Sequence, residues 1–148
     1  MGRKVIAILC LTVMLGGCGS SLRQVTARVD AVSIDERTDQ GVRLLVTIVT
    51  ENPNDVQLPI VRAVYKFELA GAEPFEFTDL PKATLPPNGT QTITLPAAFA
   101  LDGGDASGRQ LQINGTLVYE PPGEIRKLLT EYGVPLPSAG FTTSGALP

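Results

Sequence analysis

The chain has no histidine and no tryptophan among its 148 residues. Without histidine it lacks the commonest general base near neutral pH and the commonest nitrogen ligand for a metal ion. Charged residues make up only 18% of the sequence, too few for a disordered acidic tail, and 43% are hydrophobic, enough for one domain with a real core. A surplus of basic residues is also missing. The net charge is -3, and setting aside Arg3 and Lys4 of the N-terminal segment leaves ten basic and fifteen acidic side chains, or -5. Such a balance repels phosphate backbones, so no nucleic-acid partner is expected. No Ser-x-x-Lys motif occurs around Lys66, Lys82 or Lys127. With no histidine and no retained free thiol, an activated nucleophile would have to come from a Ser–Lys pair, for which the local sequence shows no motif. Neither an enzyme nor a cofactor is expected. Asp102 and Asp105 flank a glycine pair, but two carboxylates are too few for calcium, which takes six to eight oxygen ligands. Asp35, Glu36 and Asp39 read as a solvated turn. No metal site is assigned.

Cysteine is nearly absent as well. Cys10 lies inside an apolar run and Cys18 closes it, an arrangement that does not read as a disulfide. Residues 1–18 read MGRKVIAILCLTVMLGGC. Arg3 and Lys4 give a positive start, and Val5 to Leu15 is an uncharged run too short to span a bilayer. The ending Leu15-Gly16-Gly17-Cys18 resembles the bacterial lipobox, in which an aliphatic and two small residues precede the cysteine that accepts lipid. The small residues allow close approach of a protease, and a thiol is the nucleophile that lipid transfer needs. Residues 1–17 are therefore expected to be a lipoprotein signal peptide, residues 18–23 a lipidated tether, and residues 24–148 the folded domain. Gly19 stands where Asp would favour inner-membrane retention, so the expected address is the cell envelope, on the periplasmic side of an outer membrane where one exists. A myristoylation reading of Met1-Gly2 fails because Ile6 occupies the position of Ser or Thr.

From Gln24 onward the pattern changes to period two. Val25, Ala27, Val29 and Ala31 alternate with polar residues, and Val32 and Ile34 then break the parity, which predicts a face switch or bulge near residue 32. Residues 42–50 are β-branched and apolar on both parities, as in a central strand. The run must stop at Asn52-Pro53-Asn54, where proline lacks a ladder donor and asparagine bonds the backbone two residues on. Residues 60–69 predict a strand with Val61, Ala63, Tyr65, Phe67 and Leu69 on one face, followed by a short strand holding Phe75 and Phe77. Pro86-Pro87-Asn88-Gly89 is a turn, after which Ile93, Leu95 and Phe99 point inward. Leu111, Ile113, Leu117 and Tyr119 line a further strand, in which Gly115 marks either a bulge or a close backbone approach. A final short strand covers residues 141–145.

One segment carries helical spacing. Ile125, Leu128, Leu129 and Tyr132 fall at i, i+3, i+4 and i+7 over residues 123–132, and Gly133 ends the run. This stripe predicts a helix with Leu128 and Leu129 in the core and Arg126 and Lys127 in water. Together these elements predict an all-β, immunoglobulin- or fibronectin-like antiparallel β-sandwich of about seven strands with one short helix.

The segment from Leu45 to Asn54, an apolar strand running into Asn52-Pro53-Asn54, resembles the signature of the late embryogenesis abundant type 2 family, also called the water-stress and hypersensitive-response domain. Tyr65 and Phe67 match its Tyr-x-Phe strand, residues 86–89 its Pro/Gly-rich turn, and Gly115 with Tyr119 its late strand. The resemblance covers most of residues 24–145 and departs at Ala70-Gly71-Ala72, where an Asn-Gly type turn is usual. It implies a compact β-sandwich and an association with desiccation, osmotic or other stress, and it implies no catalytic site. Asn52, Pro53 and Asn54 are the candidate site residues, read first as a turn that sets register and second as a recognition loop. The functional expectation is a membrane-tethered, non-catalytic envelope domain linked to stress tolerance. The alternative is a binding module for an apolar envelope ligand or a partner protein. Whether Phe99, Tyr132 and Phe141 fill the core or line a pocket would separate the two.

The lipobox makes a direct prediction. Intact mass of the membrane-extracted protein should show loss of residues 1–17 and a lipid adduct on Cys18. An unmodified Cys18 in the native host would overturn it.

Overall fold

The computed structural model describes residues 21–101 and 105–148. Among them run β1 (Thr26–Thr38), β2 (Gly41–Asn52), β3 (Leu58–Leu69), β4 (Phe75–Asp79), β5 (Ala83–Leu85), β6 (Gly89–Ala100), β7 (Gln110–Tyr119), α1 (Gly123–Glu131) and β8 (Ser138–Ala146). One sheet has the order β1-β2-β6. The other has the order β4-β3-β7-β8, with β5 also paired to β3. Every pairing is antiparallel. The expected antiparallel sandwich with one short helix is therefore the observed architecture. The strand beyond the seven expected is β5, whose three residues are too few to show an alternation. Cys18 and Asp102 lie outside the described residues.

β2 is the central strand of the smaller sheet, and its inward face is unbroken. Val42, Leu44, Val46, Ile48, Thr50 and Asn52 are all buried. Sizes complement one another across the pair with β6: Val42 opposes Phe99, Leu44 opposes Ala97, and Val46 opposes Leu95. Val42 with Phe99 and Leu44 with Ala97 each match a larger residue to a smaller one, as close packing of the layer requires. Pro96 sits on β6, the edge of that sheet, where a missing ladder donor is tolerated.

The parity breaks of the sequence become bulges. In β1 the register steps from Val29 to Ala31, leaving Asp30 as the extra residue, and it steps again from Ile34 to Glu36. The first bulge moves the inward set from Ala27 and Val29 to Val32 and Ile34, which pack against the core, and leaves Ala31 exposed. At the second, Asp35 pairs with Arg43 at 2.5 Å, and Arg43 also reaches Glu36 at 3.4 Å. β3 carries a bulge that the sequence reading missed. Its register skips Val61. Leu58 and Ile60 point inward before it, and Ala63, Tyr65, Phe67 and Leu69 after it. Val61 therefore stands only half-buried rather than on the inward face with Tyr65.

Gly115 is a close approach and not a bulge, because the pairing of β7 with β8 runs through it without a shift. The ring of Phe141, its cross-strand partner, lies directly over it, and a Cβ there would sit 2.1 Å from Phe141 Cζ. Tyr65 links the sheets: its hydroxyl donates to the Pro96 carbonyl of the opposite sheet at 3.2 Å. Burial, with a smaller contribution from Asp79, pushes its phenol up to about 12.

The helix forms where expected and ends as expected. Gly133 takes φ +64, and the Val134 N–H donates to the Leu129 carbonyl at 2.8 Å, a Schellman-type stop. Its packing is the opposite of the expectation. No residue of α1 is buried, Leu128 is 52% exposed and Tyr132 74%. Leu129 is only half-buried. The two sheets already fill the interior with each other's side chains, so no core face is left for the helix to cover.

Gly115→Ala should destabilise the fold by roughly 1–3 kcal/mol through overpacking against Phe141. Adding Phe141→Leu should recover part of that loss in chemical denaturation. The Tyr65 phenol is expected to weaken the fold in alkali. A phenol whose folded value is about 12, against about 10 in an unfolded chain, keeps its contribution below pH 10. The contribution falls as pH rises from about 10 through about 12. Tyr65→Phe should flatten that decline in denaturation midpoints measured across this window.

Candidate functional site

The candidate residues Asn52, Pro53 and Asn54 sit where β2 ends. Strand parity places Asn52 on the inward face, in line with Thr50 and Ile48, so its side chain enters the core instead of solvent. Asn52 is 1% exposed and Asn54 6%. A buried amide without partners would cost about 1–3 kcal/mol per unsatisfied group. Asn52 meets this requirement at all four of its positions. Its Nδ2 donates to the Val56 carbonyl at 2.8 Å and to the Pro86 carbonyl at 2.9 Å. Its Oδ1 accepts from the Asn54 backbone N–H at 3.0 Å and from Asn54 Nδ2 at 2.9 Å. The bond from the backbone two residues on is an Asx turn, and Pro53 between them has no donor of its own to place.

Asn54 continues the network toward the N-terminus. Its Oδ1 accepts from the Arg23 N–H at 2.7 Å, and its Nδ2 donates to the Arg23 carbonyl at 2.9 Å. An amide that receives from and gives to the same residue mimics one rung of a β-ladder. The Asn54 carbonyl accepts from the Asn88 N–H at 2.7 Å. Asn88 adopts φ +46, a left-handed conformation that asparagine tolerates. Three stretches of chain meet at these two side chains: the strap before β1, the turn after β2, and the Pro86–Asn88 turn before β6. Leu22 packs against the core beside the strap, and the Val25 N–H reaches the Tyr119 hydroxyl at 3.4 Å.

The motif is thus a buried latch. Its asparagines do not stand in solvent as a recognition loop would, and the Asn54–Arg23 link was beyond sequence reasoning because the two residues are distant in the chain. The part of this region open to solvent is a groove of about 1040 Å³ next to the latch. Asp55, Val56 and Pro87 form one wall, and Arg126, Lys127 and Thr130 of α1 the other. Arg126 is paired with Glu120, and Lys127 with Glu124 at 2.9 Å, so the cationic wall is largely neutralised. Phe99 and Phe141 are buried core residues, whereas Tyr132 stands in solvent. At another point on the domain Asp105 is engaged by the Ser107 N–H at 3.0 Å and by Arg37 at 2.8 Å. The hydrogen bonds from Ser107, aided by the Arg37 charge, hold its carboxyl below the usual range. Among the described residues no group of three metal-ligating side chains occurs.

Solved structures share this architecture. The solution structure of a late embryogenesis abundant protein, At2g46140.1, superposes with a TM-score of 0.62 at 19% identity, covering 84% of this chain and 72% of that one. The solution structure of AT1g01470 from Arabidopsis thaliana gives 0.62 at 14% identity, covering 91% of this chain and 88% of that one. Neither a family model nor a curated protein sequence matches the chain. At these identities the likeness is one of fold.

Asn52→Ala should cost roughly 2–4 kcal/mol, because it leaves the Val56 and Pro86 carbonyls and the Asn54 amide buried and unpaired. Asn54→Ala should act more locally. Amide hydrogen exchange at Arg23 should lose its protection while β2 and β6 keep theirs. Unchanged Arg23 protection would show that the strap is held by something other than the latch.

Proposed function

We propose that the chain is a non-catalytic, lipid-anchored domain of the bacterial cell envelope, tethered through Cys18 and contributing to tolerance of drying or osmotic stress. The observation that carries this reading is the latch. The most distinctive motif of the sequence is spent inside the fold, on holding the strap that leads to Cys18, with every polar position of Asn52 satisfied internally. A domain whose signature residues secure its own tether is suited to holding a folded body at a surface. The late-embryogenesis-abundant fold supports the link to stress, and the Leu-Gly-Gly-Cys ending supports the anchor. A net charge of -5 from Cys18 onward disfavours adsorption to anionic headgroups, so attachment falls to the lipid. Gly19 favours the periplasmic face of an outer membrane.

A second reading rests on the groove beside the latch. A cleft of about 1040 Å³ at the tethered end suits a module that binds an apolar envelope ligand or a partner protein. Molecules co-purifying with the lipidated protein from its own membranes would distinguish the two.

A deletion strain complemented with wild type, with Cys18→Ser, and with the core-breaking pair Val46→Asp and Ile48→Asp should regain full envelope integrity after drying only with wild type. Rescue by the core-broken form would remove the β-domain from the function. Full rescue by an untethered form would make the anchor dispensable and favour the binding module.

A further inference from the structure

The helix α1 is turned the wrong way for a helix that belongs to its own domain. At 100° per residue, Gly123, Arg126, Lys127, Thr130 and Glu131, which line the groove, share one side. Ile125, Leu128, Leu129 and Tyr132 share the other. The polar side thus faces the latch across the groove, and the apolar side faces away from it. Leu128 is 52% exposed, Tyr132 74%, and Val134, just past the Gly133 stop, 50%. A helix of nine residues with no side-chain cap at its start is marginal in isolation and draws its stability from a covered apolar face. Ile125 and Leu129 are half-buried, but among the described residues nothing covers Leu128, Tyr132 or Val134.

We propose that the outer face of α1 and the turn after it form a membrane-contact element, with Leu128, Tyr132 and Val134 seated at the headgroup boundary of the bilayer that holds the anchor. This rests on the reading of Cys18 as the lipidated residue. The latch pins Arg23 to Asn54, and the neighbouring Asp55 and Val56 form the groove wall opposite α1. The chain therefore enters the domain at the end where the helix lies. From Cys18 to Arg23 the backbone reaches at most roughly 17 Å. A lipid on Cys18 holds this end within that distance of the headgroups.

The chemistry of the contact is apolar. Arg126 and Lys127 are each paired with a glutamate, and the chain from Cys18 onward is acidic. Attraction to anionic lipid is therefore not the driving force. Burial of the leucine, the valine and the tyrosine ring is, with the phenol at the wet boundary, as in helices that lie in the interface plane. Nine residues are far too short to cross a bilayer. The element sets how the domain stands on the membrane and leaves the anchoring to the lipid.

The test uses the chain from Cys18 onward, which contains every strand, the latch and the whole described core. Cys18 is its single thiol, so it can be coupled to maleimide-bearing lipid in phosphatidylcholine vesicles. The tether is then chemical, and a failure of cellular lipidation, read separately from intact mass, is distinguishable from a failure of this proposal. Because the chain has no tryptophan, Tyr132→Trp and, separately, Val134→Trp are single reporters. Both should shift to the blue on coupling and be quenched about twofold or more by brominated acyl chains. Phe77→Trp, an exposed site on β4, should respond to neither. Leu128→Glu added to either reporter should abolish the response, and exchanging a fraction of the lipid for phosphatidylglycerol should not strengthen it. Coupled protein whose residue 132 and 134 reporters stay unquenched would overturn the proposal, as would quenching at residue 77 instead. A blue shift without vesicles, accompanied by doubling of the mass in solution, would also overturn it by making a second copy the occupant of this face.

Discussion

The amide of Asn52 is the constraint on which the N-terminal end of the described domain depends. A side chain that parity drives into the core must find a partner for each of its two donors and two acceptor positions, and it finds them in two turns, Asn54 and Val56 after β2 and Pro86 before β6. Any displacement of the Pro86 turn, of the Val56 backbone or of Asn54 would strand a buried polar group. Low local dielectric makes such a network stiff, because each bond is strong and each loss is uncompensated by water. The latch therefore couples the end of β2 to the start of β6, and, through Asn54, to the strap at Arg23.

The rest of the sandwich is organised by keeping inward faces inward over long strands. β1 and β3 change parity in mid-strand, and each does so with an extra residue that twists the strand and keeps the apolar set on the core. β2 needs no such correction, since its even-numbered residues alternate inward from Val42 to Asn52. That regularity is what delivers Asn52 to the core. The aromatic residues lie mainly in a cluster of Tyr65, Phe67, Phe75, Phe77 and Phe99, which joins the two sheets away from the latch. The large sheet is closed on its other side by Phe141 over Gly115.

The polar network is internal and complete, and among the described residues no buried side-chain polar atom is left without a partner. The chemistry left facing outward near the strap is an open groove and an apolar helix face. The fold is shared with solved structures of late embryogenesis abundant proteins. What is particular to this chain lies at the end where the strap leaves it.

Local patterns determined most of the architecture from the sequence alone. Alternation identified the strands, the double parity of residues 42–50 identified a central strand, and the break near residue 32 located a bulge, because each signal depends on side chains within a few positions. The same holds for the turn at Pro53 and the stop at Gly133, which are matters of backbone geometry. Tertiary structure alone decided what lies beyond that range. The bulge at Val61 is invisible in a run where both parities are apolar. Gly115 could have been a bulge or a contact until Phe141 was placed over it. The helix was legible as amphipathic, yet periodicity carries no information about which surface, if any, covers the apolar side. Asn52 and Asn54 were legible as a turn, but their burial and their grip on Arg23 arise from strands that meet only in the folded sandwich.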